Sequence, residues 1–252
     1  MFNKKSPKQA DQPLRLSCRV LAHLLDYPGA AMRAALPELR EALHQEGALG
    51  AQRLAELDRL LSLLQRGDAY EVEARYVESF DRGRASSLHL FEHVHGDSRS
   101  RGPALVDLVK TYEAGGMFFD GAVHGAEGQG DASFAQAREL PDYLPVVLEF
   151  ASTQAPATAR AFLAELAHIL NSIHAALIQR ESPYAAAIGA VLELAGEQPR
   201  AMPLAPEESL DESWQEPAAF EGCSVRGQSG PQPVHIVRKH SSTPNAQQGG
   251  RV

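Results

Sequence analysis

Residues 157–181 read ATARAFLAELAHILNSIHAALIQRE, and in this run Phe162, Leu166, Ile169, Ile173 and Leu177 return at steps of three and four. That period belongs to an α-helix with one apolar stripe, and no residue in the run breaks it, so one long helix is expected. His168 and His174 fall off the stripe and read as boundary residues. The same period recurs on both sides. Leu14 to Asp26 sets Val20, Leu21, Leu24 and Leu25 on one face and stops at Tyr27-Pro28-Gly29. Ala31 to Gln45 follows, then Leu49 to Arg66, whose Leu54, Leu57, Leu60, Leu61 and Leu64 share a face before Gly67-Asp68 ends it. Asp68 is the expected N-cap of a helix from Ala69 to Phe80. Pro103 to Ala114 is the next, with Leu105, Leu108, Val109 and Tyr112 inward and Gly115-Gly116 as its stop. Leu140-Pro141-Asp142-Tyr143-Leu144-Pro145 opens a helix to Thr153 that is apolar nearly all round, as expected in the middle of a bundle. Ser182-Pro183 introduces a last helix reaching Leu192 to Ala195. No alternating strand of useful length lies between them. The fold class expected is all-α, a single-domain bundle of about eight or nine helices over residues 14–196.

The 252 residues are 44% hydrophobic and 22% charged, which is enough for one sizeable core plus ends. Residues 1–13 are expected to form a flexible N-terminus. Residues 115–138 carry six glycines and no GxxxxGK[ST] motif, so they are expected to form a mobile loop that cradles no phosphate. Beyond Gly196 the composition changes, with seven of the 16 prolines between Pro199 and Pro244. Residues 197–252 are therefore expected to be a largely disordered tail, with 214–237 as a docking segment because it holds Trp214, Phe220 and Pro233 to Val237. The formal net charge of -8, with 32 Asp and Glu against 24 Lys and Arg, excludes a general nucleic-acid-binding face. Two cysteines, Cys18 in an apolar helix and Cys223 in the tail, make no disulfide framework and favour a reducing compartment. No apolar run follows the N-terminal lysines, and none reaches the roughly 18 residues of a membrane span. A soluble cytoplasmic chain without stable membrane association is expected.

Reactive side chains concentrate in residues 76–102, YVESFDRGRASSLHLFEHVHGDSRSRG. One reading is a metal site, since His93, His95 and Asp97 offer ligands that zinc or iron accepts. Ser86 to His95 reads as a helix, however, and histidines two apart on a helix point about 200° away from each other. The i, i+4 pair His89 and His93 lacks the glutamate of a zincin helix. The three histidines then lie around a helix near Glu92 and Asp97, and Asp97 with Arg99 and Arg101 reads as a capping and ion-pair cluster. No nucleophile elbow, Cys and His pair or rigidly held carboxylate pair occurs, so no catalytic residue is assigned. Glu149, in the apolar helix, is expected to be buried and paired with Arg82 or Arg99. The alternative is a helical metal- or cofactor-binding enzyme using His89, His93, His95 and Asp97.

The runs YVESFDRGRASSLHLFEHVHGDSRSRGPALVDL and ELPDYLPVVLEF, with LLDYPG before them and EPAAFEGCS after, closely resemble the delta-type (NarJ/NarW) assembly chaperones of respiratory nitrate reductase. The resemblance runs from about Leu14 to Cys223. The wider family is the redox-enzyme maturation chaperones, with TorD and DmsD, and the resemblance implies an all-helical single domain that catalyses no reaction. It implies a chaperone that binds the N-terminal segment of the apo catalytic (alpha) subunit and delays its docking on the membrane anchor. The client stays open meanwhile for insertion of the molybdenum cofactor and an iron-sulfur cluster. No cofactor is then permanently bound; the molybdenum cofactor is handled through the client, and the insertion machinery is a further partner. The net charge of -8 suits a client segment rich in Lys and Arg.

Site residues carry over by position. Pro141-Asp142 match the family's hinge motif, with Tyr143 where His is usual. Tyr76, Phe80 and Asp81 match the helix leading into the signature segment, and His95, Asp97, Arg99 and Arg101 match its HGDxRxRG portion. The resemblance implies client contact for Tyr76, Phe80, Asp81, Pro141, Asp142 and Tyr143. Tyr76, Phe80 and Tyr143 would meet the client's apolar face and Asp142 its cations, with Phe80 and Asp81 near the surface. His95, Asp97, Arg99, Arg101 and Glu149 would bind or hold the bundle together.

Overall fold

The computed structural model describes residues 13–96, 99–118 and 139–200, all within one compact unit spanning residues 1–207. The expected N-terminal extension, most of the glycine-rich loop and the tail beyond Arg200 lie outside these residues. Among the described residues ten α-helices follow in order: α1 Arg15–Leu25, α2 Ala30–Glu46, α3 Ala51–Arg66, α4 Ala69–Phe80, α5 Glu92–His95, α6 Arg101–Ala114, α7 Leu144–Thr153, α8 Pro156–Glu165, α9 Ala167–Gln179 and α10 Ala185–Leu194. A 3-10 turn occupies Arg84–Ser86. No strand occurs among the described residues, and the all-α expectation stands.

The core is organised around α1, which packs most extensively on α7 and also on α2 and α10. Val20, Leu21, Leu24 and Leu25 are buried, as their period requires. Leu14 stands at the N-cap of α1 and has no side-chain oxygen, so the first amides need an outside acceptor. Glu46, the last residue of α2, supplies it by accepting from the Leu16 and Ser17 amides at 2.8 and 2.7 Å. Buried beside it, the Cys18 thiol is pushed up to about 12, first by burial and then by the Glu46 charge. In the same region Arg160, buried on α8, donates to the Leu194 carbonyl at 2.6 Å. Gly115 sits where a Cβ would come within 2.4 Å of the Phe150 ring, so only glycine lets the end of α6 approach α7 this closely.

The run 157–181 is two helices, bent by 65° at Leu166. The Leu166 amide bonds to Leu163 and the Ile169 amide to Leu166, a local i to i-3 pattern that tightens the turn. The halves pack on different neighbours: α8 on α7 and α10, α9 on α10 and the 3-10 turn. Tertiary packing thus breaks a helix that no residue in the run marks as broken. On α6, only Tyr112 is buried, whereas Leu105, Leu108 and Val109 are half-buried. Glu149 is exposed on α7, so its expected burial and pairing are corrected. Among the described residues no single helix is long and apolar enough to cross a membrane.

Asp68 caps α4 as its position predicts, accepting from the Tyr70 and Glu71 amides at 3.0 and 3.3 Å. Asp68→Ala is expected to lower unfolding stability by about 1 kcal/mol in urea titrations, and Asp68→Ser by much less. An unchanged midpoint in the alanine variant would show the cap to be inert.

Candidate functional site

The reactive segment is a helix only at its end. After the 3-10 turn the chain bends at Leu88, forms an isolated bridge at His89 and turns at Leu90 and Phe91, and only Glu92–His95 is α-helical. The expectation of a helix from Ser86 to His95 is therefore corrected, for two physical reasons. Ser87 Oγ accepts the His89 amide at 3.2 Å, a local turn that competes with helix formation. The backbone groups that a helix would use are taken by residues 142–144. The Leu90 amide donates to the Asp142 carbonyl at 3.0 Å, and the Leu144 amide donates to the Leu88 carbonyl at 2.9 Å. His89 and Tyr143 face each other in an isolated antiparallel bridge, with ring centroids 5.3 Å apart.

Asp142 fixes this junction. Its side chain is fully buried, and its Oδ2 accepts the Phe91 amide at 3.0 Å. Arg101 Nη2 lies 3.5 Å from the same oxygen, and His89 Nδ1 lies 3.7 Å from Oδ1. Arg101 also donates to Glu92 at 3.2 Å, and Glu92 accepts from the Ser87 hydroxyl at 2.6 Å. Residues 87, 89, 91, 92, 101 and 142 are therefore joined through one network. Below it, the Tyr112 hydroxyl donates to the Pro141 carbonyl at 2.6 Å. Burial alone would raise the Asp142 pKa, but His89, the Phe91 amide and the Arg101 charge outweigh it and hold the carboxyl below its ordinary value. The Asp142 carboxylate in turn raises the His89 pKa despite burial.

Of the residues expected to touch a client, Tyr76, Phe80, Pro141 and Asp142 are buried. Tyr76 and Phe80 belong to an aromatic cluster in which both rings pack against Tyr184, at 5.8 and 5.0 Å. The Tyr76 hydroxyl donates to the Leu25 carbonyl at 3.0 Å and lies 3.2 Å from the Tyr143 hydroxyl. The placement of Phe80 near the surface is corrected: α4 turns its Val72, Tyr76, Ser79 and Phe80 face inward. Direct contact of Asp142 with a client cation is not open in this conformation, since its carboxylate is enclosed by its own network. Asp81 is exposed and Tyr143 is half-buried.

The three histidines do not converge. His89 faces Asp142, His93 Nε2 lies 2.9 Å from the Ser87 carbonyl, and His95 Nδ1 lies 3.2 Å from the Ser100 hydroxyl. Burial lowers the His93 pKa, although the Ser87 carbonyl opposes this. Among the described residues no group of three His, Cys, Asp or Glu side chains is placed to hold a metal ion. Asp97 lies outside those residues; Arg99 is exposed, and Arg101 is a junction residue. Helical periodicity missed that His89 faces Tyr143, that the Phe91 amide bonds Asp142 and that the Leu140 carbonyl accepts the Tyr143 amide. The serine pair at 86–87, a turn-forming signal, pointed toward them.

The densest reactive side chains of this helical bundle are tied to one another and to backbone groups. The chain belongs to the nitrate reductase delta subunit family, whose model matches residues 25–189. The nitrate reductase molybdenum cofactor assembly chaperone NarJ of Escherichia coli K12 is 39% identical over 176 residues, 70% of this chain and 68% of that protein. NarW of the same strain, named a probable chaperone of the same kind, is 44% identical over 124 residues, 49% of this chain and 47% of its own. The probable NarJ of Bacillus subtilis 168 is 30% identical over 174 residues, 68% of this chain and 83% of its own.

The two shifted groups give the junction a pH window. Because the folded pKa of His89 is raised, its contribution is full below the unfolded imidazole pKa of about 6.5 and is lost as pH rises through the folded value. Because that of Asp142 is depressed, its contribution is present above the ordinary carboxylate range and is lost as pH falls through the folded value. His93 and His174, lowered chiefly by burial, pull the opposite way from His89, so wild-type melting alone mixes the signs. The Tm difference between wild type and His89→Gln is expected to be largest near pH ~6 and to shrink toward pH ~8. A difference that stays constant across that range would mean that the His89 charge plays no part in the junction.

Proposed function

We propose that this chain is an assembly chaperone of respiratory nitrate reductase. It holds the N-terminal segment of the apo catalytic subunit, so that the molybdenum cofactor and an iron-sulfur cluster enter before the client docks on its membrane anchor. In this reading the chaperone works in the cytoplasm, carries no cofactor of its own, handles the molybdenum cofactor through the client and has the insertion machinery as a further partner. What supports it is that the family match spans both sides of the pinned junction, in a chain whose relatives are named molybdenum cofactor assembly chaperones. The geometry adds a plausible seat. Tyr143 is half-buried with His89 stacked on it, half-buried Phe91 follows His89, and Leu140 is 40% exposed, so an apolar rim faces outward while Asp142 stays enclosed. Such a rim suits the apolar side of a client segment. The buried Tyr76, Phe80, Pro141 and Asp142 then shape the seat from behind, and only Tyr143 and the exposed Asp81 are left to touch the client from the set that the family resemblance implied.

Calorimetric titration with a peptide of the catalytic subunit's N-terminus tests this. Binding heat is expected, and Leu140→Asp is expected to weaken affinity about tenfold, equivalent to about 1.4 kcal/mol, with Tm unchanged because Leu140 is exposed. Absence of heat at tens of micromolar protein would sink the client assignment. Binding that Leu140→Asp leaves intact would move the seat elsewhere.

A further inference from the structure

Helix α6 is held mainly at its two ends. Arg101 at its start reaches Glu92 and Asp142; at its last turn the Tyr112 ring packs on Phe150 at 4.8 Å, and the Gly115 carbonyl accepts from Gln154 at 3.0 Å. Between these points it packs extensively on no other helix among the described residues. At about 100° per residue, Arg101, Leu105, Leu108 and Tyr112 share the inward side, and Gly102, Val106, Val109 and Glu113 form a flank about 100° further round. On that flank Val106 is 55% exposed, Val109 is half-buried, and Gly102 has open space where a side chain would stand. The charges of α6 run against its own dipole. Arg99 and Arg101 lie at its N-terminal end and Glu113 in its last turn, with no acid in the first turn and no base in the last. A helix favours the reverse, acids at its N-terminus and bases at its C-terminus. The exposed Arg99, Asp107, Lys110 and Glu113 also cancel, in a chain whose net charge is -8.

We infer that this flank of α6 pairs antiparallel with the same flank of a second copy of the chain, about a twofold axis at Val106. The argument is self-complementarity. Arg99 and Glu113 each lie seven residues from Val106, so the antiparallel pairing brings Arg99 of one copy to Glu113 of the other, and symmetry repeats the contact. Each contact also sets an acid beside a helix N-terminus and a base beside a C-terminus, the arrangement that α6 alone lacks. Gly102 and Lys110 each lie four residues from Val106, so the lysine stem of one copy enters the open space at the glycine of the other. Val106 meets its own counterpart on the axis, and Val109 is covered beside it. A strongly basic or strongly acidic partner would leave half of these charges opposed by like charge, whereas a second copy matches all of them. A single helix pair buries far less than the roughly 1,600 Å² of a standard interface, so the dimer is weak, with a dissociation constant on the order of tens of micromolar. Arg101 and Tyr112 keep the inward side of α6 for the junction, so the inference goes beyond the client reading and does not need it.

The test is sedimentation equilibrium of the full chain at low salt, from a few to a few hundred micromolar. A monomer and dimer in equilibrium are expected. Val106→Asp is expected to weaken the dimer at least about tenfold, because it sets two carboxylates on the axis. Arg99→Glu and Glu113→Arg are each expected to weaken it about fivefold, and the two together to recover most of that loss, because the ion pair forms again with its ends exchanged. All three positions are exposed, so unchanged circular dichroism will show the fold intact. A monomer throughout the range, a dimer indifferent to Val106→Asp, or a double variant no better than the single ones would overturn the inference. Val106→Cys in a Cys223→Ser chain covers the remaining case. Its thiol is expected to react with a maleimide as fast as an exposed cysteine in dilute solution and severalfold more slowly where the dimer forms. Slow reaction in dilute solution would show that the chain covers this flank itself, and would overturn the inference equally.

Discussion

The Asp142 carboxylate is fully buried, and the local architecture of the signature segment depends on how it is satisfied. An ionised carboxylate out of water must be matched by donors and opposite charge, or the fold must give way around it. Here the Phe91 amide, the Arg101 guanidinium and the His89 imidazole match it, and each comes from a different part of residues 89–101. One side chain thereby holds the turn at residues 88–91, a short helix and the start of α6 against the entry to α7. Removing a buried partner from such a network costs about 3–5 kcal/mol, and toward the lower end here, since Arg101 would keep Glu92.

The bundle supplies the frame that makes this arrangement affordable in conformational terms. α1 and α7 form the central pair, and the network sits directly before α7, so the junction is anchored to the most extensively packed helix pair in the molecule. Tyr76 and Tyr143 extend the anchoring, because both hydroxyls reach the Leu25 carbonyl at the end of α1, at 3.0 and 3.4 Å. The reactive residues that drew attention in the sequence thus serve mostly to position one another. Among the described residues, half-buried Tyr143 and His89 and the exposed Leu140 stand at the open side of this junction.

Much of the bundle was legible because periodicity and caps are local. Asp68, Gly67 and the Tyr27-Pro28-Gly29 stop mark helix ends through their own chemistry, and α1 to α3 follow the pattern of their leucines. The bend at Leu166 was not legible, because it arises from the different neighbours of α8 and α9 and no residue there breaks a helix. The junction was misread for the same reason. The Leu90 and Phe91 amides go to Asp142 and the Leu88 carbonyl to the Leu144 amide, some fifty residues away in sequence, and no local rule reports that. Family resemblance pointed to Asp142 and Tyr143, and burial decides what each side chain can do: Asp142 organises the segment, while Tyr143, unlike the buried Tyr76 and Phe80, is half-buried.

The central claim, that Asp142 pins the signature segment, is tested most directly by amide hydrogen exchange in wild type and Asp142→Ala at neutral pH. The account predicts that the Leu90, Phe91 and Leu144 amides, protected in wild type, exchange at least about a hundredfold faster in the variant, while amides within α1 and α10 keep their protection. Unchanged protection at Leu90, Phe91 and Leu144 would contradict it, and so would an equal loss of protection throughout α1 and α10.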